Sequence, residues 1–144
     1  MLIFKNATPV LQVTDVARSI AWSSEVLGFA ADPFPDAPPY AFAILVRDRA
    51  EIMLQCVESK PAELTAGEPR RGWSVYLRLK GENLLALFEE VQGRTTILRR
   101  PERTFYNEVE FEVADPDGHR VCVAEALPSD ANVPMFREGK EEGL

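Results

Sequence analysis

Apolar and polar residues alternate along several short stretches of this chain, and each alternation predicts a strand with two unlike faces. In Pro9-Val10-Leu11-Gln12-Val13, Leu11 and Val13 share one face while Val10 and Gln12 share the other. Asp15 then stands where a helix cap is needed. Val16, Ile20, Val26 and Leu27, with Ala17 and Ala21, follow at helical spacing up to a stop at Gly28. Residues 31–39 hold four prolines and two aspartates, which predicts an irregular loop. Tyr40–Val46 and Glu51–Val57 come next as two apolar strands, joined by the charged connection Arg47-Asp48-Arg49-Ala50 in the manner of a hairpin.

The same order restarts after Ser59–Arg71, a stretch with the composition of a linker. Ser74–Leu79 alternates cleanly. Gly81-Glu82-Asn83 leads into Leu84, Leu85, Leu87, Phe88 and Val91 at helical spacing, with Gly93 as the expected stop. Three further strands are predicted at Thr95–Arg99, Glu108–Val113 and Val121–Glu125, the last two joined by the turn Asp115-Pro116-Asp117-Gly118. The chain therefore holds two copies of one order, a strand and a helix followed by strands, set about 65 residues apart. Pro128–Leu144 lies outside the repeat and is expected to form an extended or partly disordered tail.

Composition narrows the picture. The chain has 144 residues, 46% hydrophobic and 27% charged, which suits one folded domain. We place that domain at residues 1–127, with modules at about 7–58 and 72–126 and a tail at 128–144. A net charge of −7 disfavours generic binding to a phosphate backbone, so nucleic acid is not an expected partner. No apolar stretch approaches the roughly 20 residues that a membrane span requires, so no membrane association is expected. Cys56 and Cys122 lie far apart and the first residues carry no secretory pattern, so reduced thiols and a cytoplasmic location are expected.

The repeated order, the helix entry Asp15-Val16-Ala17-Arg18-Ser19, the helix exit Leu27-Gly28-Phe29 and the late turn Asp115-Pro116-Asp117-Gly118 together resemble the vicinal oxygen chelate superfamily. That superfamily contains glyoxalase I, fosfomycin-resistance enzymes, extradiol dioxygenases and bleomycin-resistance proteins. The resemblance spans about residues 7–126. It departs locally at Trp22-Ser23, where the family's helix usually carries an aromatic pair. The implied fold is α+β: two βαβββ modules forming a curved mixed sheet around a cleft, with two chains paired in a homodimer. Metal-dependent members take one ligand from each of four strands, and the matching positions here are Thr8, Met53, Ser74 and Cys122. None is a histidine or a carboxylate, the usual donors for such cations, so no metal and no other cofactor is expected. This weighs against glyoxalase I, fosfomycin transferase and extradiol dioxygenase chemistry alike.

Alternation assigns Thr8, Val10, Gln12, Met53, Gln55, Ser74, Tyr76, Arg78, Glu108, Glu110, Glu112, Arg120 and Cys122 to the face turned away from the helices. From these we select Gln12, Met53, Gln55, Ser74, Tyr76, Arg78, Glu110 and Cys122 as candidate ligand-binding residues. No catalytic residue is assigned. Glu110 is the preferred anchor, because a half-buried carboxylate needs a partner, whether Arg78, Arg120 or a ligand cation. The plainer alternative is a solvated strand face on which Glu108, Glu110 and Glu112 meet cross-strand arginines. His119 is expected at an exposed turn, opposite in face to Cys122, and Cys122 is expected to act as a small buried hydrophobe. Trp73, Phe34, Tyr40, Phe105 and Tyr106 stand where aromatics line the mouth of a pocket.

Similarity to the bleomycin-resistance branch implies a metal-independent protein that binds a small aromatic or cationic molecule, antibiotics among them, in a dimer cleft. Two alternatives stay open. One is an enzyme of the superfamily, a lyase or oxidoreductase, with a non-standard site built on Glu110, Tyr76 and Cys122. The other is a protein that acts through a macromolecular partner and whose cavity is vestigial.

Overall fold

Each half of the repeat folds into a four-stranded mixed sheet carrying one helix. The computed structural model describes residues 1–58, 70–81 and 83–127. The chain divides into two compact units, residues 1–66 and 67–144. The first contains β1 (Val10–Val13), α1 (Val16–Leu27), β2 (Ala30–Phe34), β3 (Phe42–Arg47) and β4 (Ala50–Cys56). The second contains β5 (Val75–Leu79), α2 (Leu84–Val91), β6 (Thr96–Arg103), β7 (Glu108–Ala114) and β8 (Arg120–Ala126). Both are βαβββ modules with one topology: the sheet orders are β1-β4-β3-β2 and β5-β8-β7-β6, and in each the first strand runs parallel to the last. The predicted tail and most of the predicted linker lie outside the described residues.

In the first unit, Leu11, Val13, Ala43, Leu45, Ile52 and Leu54 alternate along their strands and are buried beneath α1 together with Val16, Val26 and Leu27. The α1 start is capped as expected, with Arg18 N–H donating to Asp15 Oδ1 at 3.1 Å. Its end is held by two devices. Gly28 takes the left-handed conformation at φ 70°, and Arg47 Nη1 donates to the Leu27 carbonyl at 2.5 Å. A Cβ at position 28 would lie 2.7 Å from Arg47 Nη1, the movable end of a long side chain, so it is the backbone conformation that requires glycine there.

Two expectations change. Residues 31–39 are not wholly irregular, because β2 pairs antiparallel with β3 from Ala30↔Val46 to Phe34↔Phe42. Pro33 is accommodated because β2 is the last strand of its sheet, and an edge strand needs hydrogen bonds on one side only. At the other helix, Gly93 is not a left-handed stop. α2 ends instead on right-handed Gln92, with Arg94 N–H donating to the Val91 carbonyl at 2.9 Å in a tightened last turn.

The second unit buries Val75, Val109, Phe111, Val113, Val121 and Val123 beneath α2, with the rings of Phe88 and Phe111 meeting edge-on at 5.4 Å between centroids. The start of α2 lacks a side-chain cap of its own. Glu125, on the helix-facing side of β8, supplies one by accepting from the backbone N–H of Asn83 at 2.5 Å and of Leu84 at 3.0 Å. A strand carboxylate buried among valines thus fixes where the helix begins. Glu125→Ala should lower stability by about 2 kcal/mol, against about 1 kcal/mol for Asp15→Ala at the exposed start of α1. Urea unfolding of the two variants checks the order.

Candidate ligand-binding site

The chemistry of the second unit gathers on the sheet face opposite α2. Glu110 and Glu112 alternate with Val109, Phe111 and Val113 along β7, as the pattern predicts. That face is not an open polar lining, however. Glu110 is 1% exposed and Cys122 is fully buried. The partner that makes this burial possible is Arg99, which the sequence pattern misses.

Strict alternation from Ile97 would put Arg99 on the helix side. The register slips between Ile97 and Arg99 and again between Arg99 and Glu102, so Ile97 stands opposite Val113 but Arg99 opposite Glu112. These β-bulges turn the guanidinium onto the carboxylate face. Arg99 Nη2 lies 2.7 Å from Glu110 Oε1 and 2.6 Å from Glu112 Oε2, while Arg99 Nε donates to the same Glu112 oxygen at 2.7 Å. The remaining oxygens are also taken. Tyr76 and Tyr106 hydroxyls each donate to Glu110 Oε2 at 2.6 Å. Arg120 Nη1 donates to Glu112 Oε1 at 2.6 Å, and Trp73 Nε1 to Glu112 Oε2 at 3.1 Å.

This network perturbs its members in a consistent sense. Burial alone would raise Glu112, but the hydrogen bond from Arg120, the charge of Arg99 and the bonds from Trp73 and Arg99 outweigh it and hold the carboxyl below its usual range. Burial and the bond to Glu110 push the Tyr106 hydroxyl up to about 12 and raise Tyr76 further. Burial, reinforced by Glu110 and Glu112, pushes the Cys122 thiol well above its ordinary value, so this thiol stays protonated and is a poor nucleophile.

The eight candidate residues do not form one cluster in either unit. Gln12, Met53 and Gln55 lie in the first, where Gln12 and Gln55 are register partners and Met53 stands beside Val10. Ser74, Tyr76, Arg78, Glu110 and Cys122 lie in the second. Tyr76 is joined to Glu110 and is the register partner of Cys122. Arg78 is no partner of Glu110; it stands 3.6 Å from Glu108, with its guanidinium 5.4 Å from the Tyr76 ring centre. Arg120 pairs with Glu112 rather than Glu110. Ser74 Oγ is hydrogen-bonded to His119 Nδ1 at 2.9 Å, and His119 is buried rather than exposed. The turn explains this: Asp115 Oδ1 accepts from the N–H groups of Asp117 and His119, and folds the residues after Pro116 back over the sheet.

The four positions that match metal ligands elsewhere do not suit a cation in this chain. Thr8 Oγ1 donates to Glu51 at 2.8 Å, Ser74 is held by His119, Met53 offers only a thioether, and Cys122 keeps its proton. Among the described residues, no group of three or more His, Cys, Asp or Glu side chains is placed to hold a metal ion. No helix among them is long and apolar enough to cross a membrane.

Above the network lies a cavity of about 550 Å³, floored by Arg99, Glu110, Glu112 and Arg120 and walled by Trp73, Leu98, Phe105 and Tyr106. Of the wall residues, Phe105 is 87% and Trp73 47% exposed. The two aromatics at the tip of the β6–β7 hairpin meet edge-on at 4.9 Å, and Trp73 meets Tyr76 at 4.8 Å. Of the five aromatics expected at a pocket mouth, Trp73, Phe105 and Tyr106 line this cavity, whereas Phe34 and Tyr40 lie in the first unit; Leu98 and Arg99 from the bulged strand and Thr104 just beyond it are additions.

Because Glu112 binds its proton more weakly in the folded chain than in the unfolded one, its contribution is complete above the ordinary value of about 4.3 and is lost as pH falls from there through the folded value. Glu112→Gln should therefore cost about 3 kcal/mol at pH 7, and the gap to the parent should shrink at pH 3. Urea unfolding at the two pH values reads this directly, and a constant gap would refute it.

Among solved structures, the fold is similar to TioX from Micromonospora sp. ML1, with 17% identity, a TM-score of 0.65, and coverage of 85% of this chain and 100% of that one. It is also similar to a glyoxalase-related enzyme from Clostridium phytofermentans, at 16% identity, a TM-score of 0.67, and coverage of 88% and 98%. The virulence protein STM3117 from Salmonella typhimurium is similar at 23% identity and a TM-score of 0.58, with 88% and 100% covered. No curated protein sequence matches the chain. The family model for the glyoxalase/bleomycin resistance protein/dioxygenase superfamily matches residues 6–123, and with both βαβββ modules in place the chain belongs to that superfamily.

Proposed function

We propose that the protein is a metal-independent binder of a small aromatic molecule, held in the cavity of the second unit. The observation that carries this is the contrast between floor and walls. All four oxygens of Glu110 and Glu112 already accept hydrogen bonds or ion pairs, whereas Trp73 and Phe105 present exposed ring surface to the same space. Exposed aromatic walls over a rigid polar floor suit a flat, partly apolar ligand. A purely cationic ligand is less well served, because no carboxylate on the floor is left without a partner.

The same bonding argues against catalysis by the candidate acid, base and nucleophile. Tyr76 is engaged with Glu110 and raised in pKa, Cys122 is buried and protonated, and Glu110 is held from three sides. Binding therefore ranks above a reaction at a non-standard site. Two chains pairing as a homodimer remains part of the proposal, by resemblance to the bleomycin-resistance branch.

Phe105→Ala is the cleanest test, because the side chain is 87% exposed and its loss should leave the melting temperature unchanged. A thermal-shift screen of planar aromatic compounds should yield ligands that stabilise the parent. Their affinity should fall about tenfold in Phe105→Ala. Ligands whose affinity ignores this change would place the binding site elsewhere.

A further inference from the structure

Resting on that proposal, we infer that the ligand carries a carboxylate or an equivalent anionic acceptor, and that Arg120 is the residue that selects it. Arg120 differs from every other polar group on the cavity floor. Its Nη1 donates to Glu112 and its Nε to the Arg70 carbonyl at 3.3 Å, but among the described residues nothing accepts from Nη2. The side chain is 25% exposed, against 7% for Arg99, and it lines the cavity. A guanidinium holds its donors in a fixed fork. Anchoring Nε and Nη1 therefore fixes Nη2 in place before any ligand arrives.

The charges on the cavity floor balance, so a free donor rather than net charge selects the ligand. Arg99 and Arg120 are matched by Glu110 and Glu112. The cavity lining is therefore neutral, although the whole chain carries −7. The Arg70 carbonyl holds Arg120 Nε, and Arg70 Nε is itself buried with no hydrogen-bond partner among the described residues. A planar aromatic acid would stack against Trp73 or Phe105 and direct its carboxylate to Nη2, forming a charge-assisted bond. The acidic composition, which taken alone favours a cationic partner, is a poor guide to this pocket because the selecting group is a single positioned arginine.

The experiment compares three probes of one ring system by calorimetric titration: 2-naphthoate, its neutral amide 2-naphthamide, and 2-naphthylmethylammonium. The carboxylate should bind the parent protein about tenfold more tightly than the amide, with the ammonium weakest. Arg120→Lys keeps a cation beside Glu112 but removes the fork, and Arg120→Gln removes the charge. In whichever of these remains folded by its melting curve, the carboxylate should lose its advantage while the amide binds as before. Equal binding of carboxylate and amide, tightest binding of the ammonium, or a preference that survives at position 120 would overturn the role of Arg120. In each of those cases, amide binding that still responds to Phe105→Ala leaves the aromatic cavity standing. Failure of all three probes to bind at millimolar concentration would overturn both.

Discussion

The buried guanidinium of Arg99, set between Glu110 and Glu112, is the interaction on which the second unit's cavity depends. Two carboxylates on one strand face, both nearly sealed from water, would repel each other and lose most of their hydration if left alone. Arg99 meets both with three donor contacts, and Tyr76, Tyr106, Trp73 and Arg120 satisfy what remains. Such an assembly contributes little net stability over an apolar core of equal volume, but removing one member strands a buried charge. Its value lies in fixed geometry: Tyr76, Tyr106 and Trp73 are each tied by a polar tip, so their rings are held in place.

The two modules share a topology and diverge in almost everything that bears on chemistry. In the first, the non-helical sheet face carries Val10, Gln12, Met53 and Gln55, with no buried charge among them. In the second, the matching face carries a closed ionic network. Even the helices start differently, α1 on its own Asp15 and α2 on Glu125 from a strand far along the chain. Membership of the superfamily accounts for the shared topology, while the cavity comes from side chains that the topology does not dictate.

Much of the fold was legible in the pattern because the determinants are local. Alternation at Leu11 and Val13, helical spacing from Val16 to Leu27, a glycine able to take positive φ at position 28, and the Asp115–Gly118 turn each act within a few residues. One exception shows where local reading ends. Pro33 reads as part of an irregular loop, yet it sits on an edge strand, where hydrogen bonds are needed on one side only. Edge position is a property of the sheet, and no local window contains it.

Part of the site was legible too. Alternation put Tyr76, Glu110, Glu112, Arg120 and Cys122 on one face, and the sequence alone marks Trp73, Phe105 and Tyr106 as aromatics at strand ends. What sequence determined by itself was therefore the two modules, their buried aliphatic faces and the side chains available on the opposite faces, because these follow from the strict period of two along a strand. Only the tertiary structure decided which of those side chains meet. A bulge shifts register by one residue, and that single step moved Arg99 across the sheet and supplied Glu110 and Glu112 with a shared counter-ion.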